Sequence, residues 1–221
     1  MDENTLEYML SGLEMRNKIG YNVPICSTAD LYTKKDIDEL FINEKGERFN
    51  NALLLYQFKN DGRVVIGHWT LLKRLDGQNI IHFDSYGDFP DDQLNKIDIK
   101  YRKHTNQMKR HLSRLLYNSR YKYIHYNPHK YQNMYRWIDS GPLSIHNIGA
   151  LKTLNGQKGG GRRKMRVRVN TCGRHCVVYA KSNVEPEAHY KTMKKLLDTV
   201  KRITKDKDIT YDDIVLSLTK T

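Results

Sequence analysis

Disulfide chemistry has little to work with in this chain. Among 221 residues only Cys26, Cys172 and Cys176 are cysteines, too few and too unevenly placed for a disulfide scaffold. Long apolar runs are missing as well: no stretch approaches the roughly 20 residues needed to cross a bilayer. The acidic opening Met1-Asp2-Glu3-Asn4 lacks the basic-then-apolar pattern of a secretory leader. These absences predict no membrane association and a reducing compartment. Spacing argues against metal and phosphate motifs. Cys172 and Cys176 have no matching second pair for zinc, and they do not show the Cys-x-x-Cys spacing of a redox pair, so no metal ligands are predicted. Gly159-Gly160-Gly161 lacks the preceding strand, the earlier glycine and the Lys-Ser/Thr ending of a phosphate loop. No internal repeat is present.

What the chain has in excess is positive charge. Its 38 Lys and Arg outnumber 25 Asp and Glu, a formal balance of +13, which points to a polyanionic partner such as nucleic acid. The plainer reading of such charge is a solvated lysine-rich surface. A hydrophobic content of 38% is low for a globular protein but above the disordered range. Fifteen tyrosines supply much of the aromatic surface. The length fits one domain, 1–221, with a basic insertion at 133–169.

Coarse patterning predicts a helix over 34–41 behind the cap Ser27-Thr28-Ala29-Asp30. A meander of three short strands follows: Leu53–Phe58, Arg63–Leu72 and Ile80–Asp84, joined by turns at Asn60-Asp61-Gly62 and Asp76-Gly77-Gln78-Asn79. Apolar Met108, Leu112, Leu115 and Leu116 predict one basic helix over 104–118, and Tyr121–Tyr126 reads as a strand. Arg166–Val169 alternates like a strand. Helices are predicted from Cys172 to Ala180, from Pro186 to Ile203 and from Ile214 to Leu218.

The chemistry-bearing segment is Asn170-Thr171-Cys172-Gly173-Arg174-His175-Cys176, leading into Val177-Val178-Tyr179-Ala180. A cysteine at a helix start meets unpaired N–H groups and the positive end of the dipole, which favour thiolate over thiol. Two further pieces precede it in fixed order, Gly67-His68-Trp69 and Phe83-Asp84-Ser85-Tyr86-Gly87. Histidine, acid and cysteine supply a base, its orienting group and the nucleophile they serve. A hairpin can bring His68 and Asp84, sixteen positions apart (84 − 68), within hydrogen-bonding reach. Taken alone, a cysteine in an apolar helix reads as a small buried hydrophobe. The ordered trio outweighs that reading for Cys172, while Cys176 reads as such a core residue, Cys26 as structural and His82 as a satisfied strand residue.

This ordered set resembles the cysteine proteases that join the adenovirus maturation protease (adenain) to the SUMO and ubiquitin-like-protein proteases. The resemblance covers residues 50–182. Phe83-Asp84-Ser85-Tyr86-Gly87 and the Cys172-Gly173-x-x-Cys176 ending look closest to the viral branch, found in virophages, polinton-like elements and large DNA viruses. It implies an α+β, papain-like or adenain-like fold: a mostly antiparallel central sheet flanked by helices, with the catalytic cysteine at a helix N-terminus. It further implies Cys172 as nucleophile, His68 as general base and Asp84 as the group that holds the imidazole tautomer. Trp69 would line the substrate cleft. The family's oxyanion-hole glutamine stands six positions before the nucleophile, where this sequence has Arg166. Gln132, following the strand-and-loop Tyr126-Asn127-Pro128, is the favoured substitute and Gln157 its rival, with the Cys172 backbone N–H as a second donor.

The function implied is cleavage of viral capsid and core precursor proteins at Gly-containing sites during particle maturation, with Leu154–Gly159 as a self-cleavage site. That activity belongs in a virion, the host cytoplasm or a viral factory. The chemistry requires no cofactor, and the resemblance implies DNA or a peptide as activator. Candidate nonspecific DNA contacts are Arg162, Arg163, Lys164, Arg166 and Arg168 in the insertion, with Lys194, Lys195, Lys201 and Arg202 on the late helix. Two other readings stand beside it: an isopeptidase acting on SUMO-like or ubiquitin-like tails, and a basic nucleic-acid-binding structural protein in which Cys172 is inert.

Overall fold

The computed structural model describes residues 10–60, 63–132, 135–140, 163–168 and 171–220. The elements run α1 (Gly12–Ile19), β1 (Ile25–Ser27), β2 (Asn51–Asn60), β3 (Arg63–Arg74), β4 (Asn79–Phe83), α2 (Ile99–His104), α3 (His111–Tyr117), β5 (Tyr123–Tyr126), β6 (Tyr135–Ser140), β7 (Arg163–Arg168), α4 (Cys172–Lys181), α5 (Pro186–Thr204) and α6 (Tyr211–Thr219). Short 3₁₀ turns span Thr28–Thr33, Ile37–Phe41 and Asp92–Lys96. Among the described residues no helix is long and apolar enough to cross a membrane.

The protein is α+β, with a five-stranded sheet in chain order β1-β2-β3-β4-β5 and a separate two-stranded β6–β7 ribbon. The sheet is mixed, not mostly antiparallel. The β2–β3 and β3–β4 pairs are antiparallel, as tight turns allow, but β1–β2 and β4–β5 are parallel. The reason lies in the connections. Residues 28–50 and 84–122 are crossovers long enough to carry the chain back to the starting end of the sheet, which a hairpin turn cannot do.

Strand alternation divides the core in two. Leu53, Trp69, Leu71, Ile81 and Phe83 project to one face and pack with the helices α4, α5 and α6. Ala52, Leu54, Leu72 and Ile80 project to the other and meet the 3₁₀ turns and Leu112, Leu115 and Leu116 of α3. Each fully buried Leu or Ile contributes about 1.5–3 kcal/mol relative to exposure, so both faces carry real cohesion. The expected single helix over 104–118 is two helices. Between them Asn106 takes a left-handed φ of 54°, and buried Gln107 turns inward to accept from Thr28 Oγ1 at 2.6 Å. The expected helix over 34–41 is the tighter 3₁₀ turn, capped by Asp36. Helix α1 answers to no predicted element, although Ser11 and Glu14 form its capping box.

Helix α4 lies within the fold: eight of its ten residues are buried, so it is covered on all sides rather than on one stripe. Strand β3 holds its far end, where buried Lys73 Nζ donates to the Ala180 carbonyl at 2.9 Å and to the Ser182 carbonyl. A cation on the last carbonyls of a helix satisfies orphan acceptors and complements the dipole.

Candidate active site

Cys172 is the first residue of α4, and its Sγ accepts from the Trp69 backbone N–H at 3.5 Å. One turn on, Cys176 Sγ donates to the Trp69 carbonyl at 3.5 Å. Two sulfurs thus clasp the backbone N–H and carbonyl of one β3 residue, Trp69, and this places the helix start beside His68. The His68 Nε2 bonds Asp84 Oδ2 at 2.9 Å, and the ring also hydrogen-bonds Cys172. With Nε2 committed to Asp84, Nδ1 is the nitrogen left for the sulfur. His68 lies on β3 and Asp84 directly follows β4, both past the last ladder pair of these antiparallel strands, Leu71 with Phe83, which is how a separation of sixteen residues (84 − 68) closes to one hydrogen bond.

The pair is buried, His68 at 4% exposure and Asp84 at 0%. Burial alone would push the imidazolium down, but the charge and hydrogen bond of Asp84, joined by Cys172, outweigh it and lift His68 to about 10. Burial likewise pushes Asp84 up, yet His68, His82 and the Tyr86 N–H together hold it below the usual carboxylate range. The Asp84 carboxylate is heavily anchored. Oδ1 accepts from the Tyr86 N–H at 2.7 Å, Oδ2 accepts from Gln93 Nε2 at 3.2 Å, and its backbone carbonyl accepts from Asn127 Nδ2 at 2.6 Å. The Tyr86 ring stacks on His68 with centroids 4.9 Å apart.

Gln132 belongs to this neighbourhood. It is fully buried; its N–H donates to the Ser85 carbonyl at 3.0 Å, and its Oε1 accepts from Ser85 Oγ at 2.8 Å. Trp69 is 7% exposed. Its ring lies against α1, where a Cβ on Gly12 would sit 3.5 Å from Trp69 Cη2 on the six-membered edge of the indole, and beside Gly173. The indole is therefore an inner wall behind Cys172. Gly173 permits this closeness: a Cβ there would stand 2.7 Å from Met15 Sδ and 3.4 Å from Trp69 Cδ1. Gly87 has φ +76°, and a Cβ would meet the Pro128 carbonyl oxygen at 3.0 Å, so the loop ending the Asp84 motif packs directly on the loop leading to Gln132.

Of the expected polyanion contacts, Arg162 lies outside the described residues, as do Gln157 and the 154–159 segment. Arg163, Lys164, Arg166 and Arg168 are on β7, paired with Ser140, Asp139, Trp137 and Tyr135 of β6. Lys194 is ion-paired with Asp198 at 2.8 Å, whereas Lys195 is exposed. Among the described residues no group of three His, Cys, Asp or Glu side chains could hold a metal ion. Cys176 is fully buried, and burial, with Cys172 and Asp84 nearby, pushes its thiol well above its ordinary value. His82 departs from expectation: it is 1% exposed, and neither ring nitrogen has a partner among the described residues, because its strand face meets Leu72 and the apolar second core.

Sequence reasoning missed Gln93, Asn127 and Ser85 as anchors of Asp84 and Gln132. Ser85 and Tyr86 stood inside the quoted motif, and Asn127 before Pro128 carried the turn signal. Gln93 had no sequence signal.

No known protein family matches the chain, and no solved structure matches it. One curated relative is 34% identical over 84 residues, "Uncharacterized protein V9" of Sputnik virophage. That stretch covers 38% of this chain and 45% of the relative, so the chain spans less than half the length of the protein it matches.

Proposed function

We propose that the chain is a cysteine endopeptidase working through Cys172, His68 and Asp84. The observation that carries this reading is the buried His68–Asp84 bond of 2.9 Å with Cys172 at the other side of the ring and at the first position of a helix. Three distant chain segments converge there on two charged groups and a thiol, which burial would otherwise penalise. In the reaction, the Cys172 thiolate attacks the scissile carbonyl and forms the S–C bond. The oxyanion is met by the Cys172 N–H and Gln132. His68, as imidazolium, gives its proton to the departing amine; it then takes a proton from the water that cleaves the thioester and returns it to sulfur. Asp84 keeps the ring oriented throughout. The chemistry needs no cofactor.

The substrates are structural precursor proteins of a DNA virus or virus-like element, cut at Gly-containing sites, in the virion or in the cytoplasm or viral factory of its host. The resemblance to viral maturation proteases and the similarity to a virophage protein support that setting. DNA is proposed as a nonspecific partner and activator, on the +13 charge. A stretch inside the fold adds to the case, since residues 99–138 contain no Asp or Glu while Lys100, Lys103, Lys109, Arg110, Arg114 and Lys122 are exposed.

The test is iodoacetamide titration across pH with the label located by peptide mass spectrometry. Fast labelling of Cys172 that His68→Ala abolishes supports the reading. Equal slow labelling of Cys172 and Cys26, with and without DNA, sinks it and favours an inert cysteine in a nucleic-acid-binding protein.

A further inference from the structure

Helix α4 starts without the usual cap. Thr171, its N-cap residue, has a side chain of the preferred type, yet the hydroxyl makes no capping bond to its own helix. Instead Thr171 Oγ1 donates to Asp212 Oδ1 on α6. The same oxygen bonds His175 Nε2 at 3.1 Å. Thr171 and His175 are the two ends of one turn, already joined by the His175 N–H to Thr171 carbonyl bond of 3.0 Å. Cys172 sits between them. All three residues are buried: Thr171 at 0%, His175 and Asp212 at 2%. Asp212 does not serve its own helix as a cap, since Thr210 and Asp213 form that capping box. At the other end of α6, Thr219 Oγ1 accepts from Arg174 Nη1 at 2.7 Å.

We propose that Asp212 is a positioning residue for Cys172: its carboxylate straps both ends of the first turn of α4, draws the Thr171 hydroxyl away from that turn, and holds the Cys172 sulfur at the His68 ring. With the Thr171 hydroxyl committed to Asp212, the positive end of the helix dipole acts on the sulfur and on a developing oxyanion with no threonine oxygen set against it. This rests on the reading of Cys172 as nucleophile. It makes the C-terminal helix part of the machinery, although α6 brings no group to the reacting atoms.

The experiment compares iodoacetamide alkylation rates of Cys172 at pH 7 in four variants of the full chain, each held well below its own melting temperature. Asp212→Ala and Thr171→Val are expected to slow alkylation about tenfold or more, the scale of one lost hydrogen bond to a charged group. Asp212→Asn retains an acceptor oxygen and Thr171→Ser retains the hydroxyl, so both are expected to restore at least a third of the wild-type rate. A melting temperature lowered in Asp212→Ala and Thr171→Val with wild-type alkylation rates would make Asp212 merely structural and overturn the proposal. Should Asp212→Ala not fold, Thr171→Val decides in the same way. Failure of the underlying reading looks different: wild-type Cys172 would then react no faster than Cys26, and His68→Ala would change nothing.

Discussion

Two buried imidazole–carboxylate pairs flank the start of α4, with bond lengths of 2.9 Å for His68 with Asp84 and 3.1 Å for His175 with Asp212. The bond is nearly the same; the third partner is not. The His68 ring reaches on to the sulfur of Cys172, and Asp84 is anchored by the Tyr86 N–H and Gln93 so that it can hold that ring. At the second pair, the carboxylate is the shared member: it takes the Thr171 hydroxyl as well as the imidazole, and both donors come from one helical turn. An imidazole between an acid and a thiol can move a proton, whereas an acid between an imidazole and a hydroxyl ties chain segments together. The location of a His–Asp bond says less about its role than the identity of the group at its far side.

The sharpest way to break this comparison is to neutralise each carboxylate in place. Asp84→Asn removes the charge that keeps His68 in its working tautomer, and turnover of a Gly-containing peptide is expected to fall on the order of 10⁴-fold. Asp212→Asn keeps an oxygen for Thr171 and is expected to lose less than about tenfold, below the cost of removing a hydrogen bond to a charged group outright. Equal losses measured side by side would mean the two pairs do the same work.

A titration sharpens the contrast. His68 is raised to about 10, so its imidazolium persists through neutral pH and is lost only as pH climbs through that value. The stability it contributes is fully present below its ordinary value near 6.5 and disappears over the same climb. Asp84 is held low, so its contribution is present above its ordinary value of 3.8 and is lost on acidification. In Asp84→Asn burial is opposed only by Cys172, and the His68 transition is expected to move down by more than about one pH unit. NMR of ring-labelled histidine reads this directly. A His68 transition near 10 in the variant would assign the shift to something other than Asp84.

A smaller effect separates the loop that anchors the site from the turns that merely connect strands. Gly87 has a left-handed φ of +76° and a backbone oxygen 3.0 Å from where a Cβ would stand, while Gly77 has nothing within 4 Å. Gly87→Ala is expected to cost about 1–3 kcal/mol, lowering the melting temperature by roughly 2–12 °C at about 2–4 °C per kcal/mol. Gly77→Ala is expected to stay within about 0.5 kcal/mol, as surface substitutions do. Thermal melts of the two variants check both values. Equal shifts would show that the Gly87 contact carries no strain.

These contrasts also mark what could be read from residue order. The meander β2–β3–β4, helix α4 and the late helix α5 are legible because apolar period, turn residues and caps are local signals. The approach of His68 to Asp84 is legible because a hairpin joins them. The parallel placement of β1 and β5 is not, since it depends on where long crossovers deliver the chain. Nor is the break at Asn106, where a buried bond from Thr28 to Gln107, 79 residues away, overrides a helical pattern. Asp212 was illegible for the same reason: its partners lie 41 and 37 residues upstream, and its own helix looks adequately capped without it. Helix α1, which covers Trp69, is not legible either, because its capping box of Ser11 and Glu14 precedes only a short segment with a single buried residue, Met15.

The weakest of the four effects concerns histidines that have no acid. His82 carries no hydrogen-bond partner on either ring nitrogen among the described residues, and His189 packs among Phe83, Tyr131 and Tyr179. Burial leads in pushing both down to about 4, the opposite direction from His68. Both are neutral in the folded protein at pH 7. As pH falls below about 6.5, the unfolded chain takes up protons that the folded one refuses, so stability is lost progressively down to the folded value near 4. Each such group adds at most about 1.4 kcal/mol per pH unit to that slope. His82→Leu removes one proton from the balance and suits the apolar neighbours. The slope of unfolding free energy between pH 6 and 5, from urea titrations, is therefore expected to drop by up to that amount, whatever the variant does to absolute stability. An unchanged slope would mean that His82 is protonated in the folded state and has found a partner that distinguishes it less from His68 than its surroundings imply.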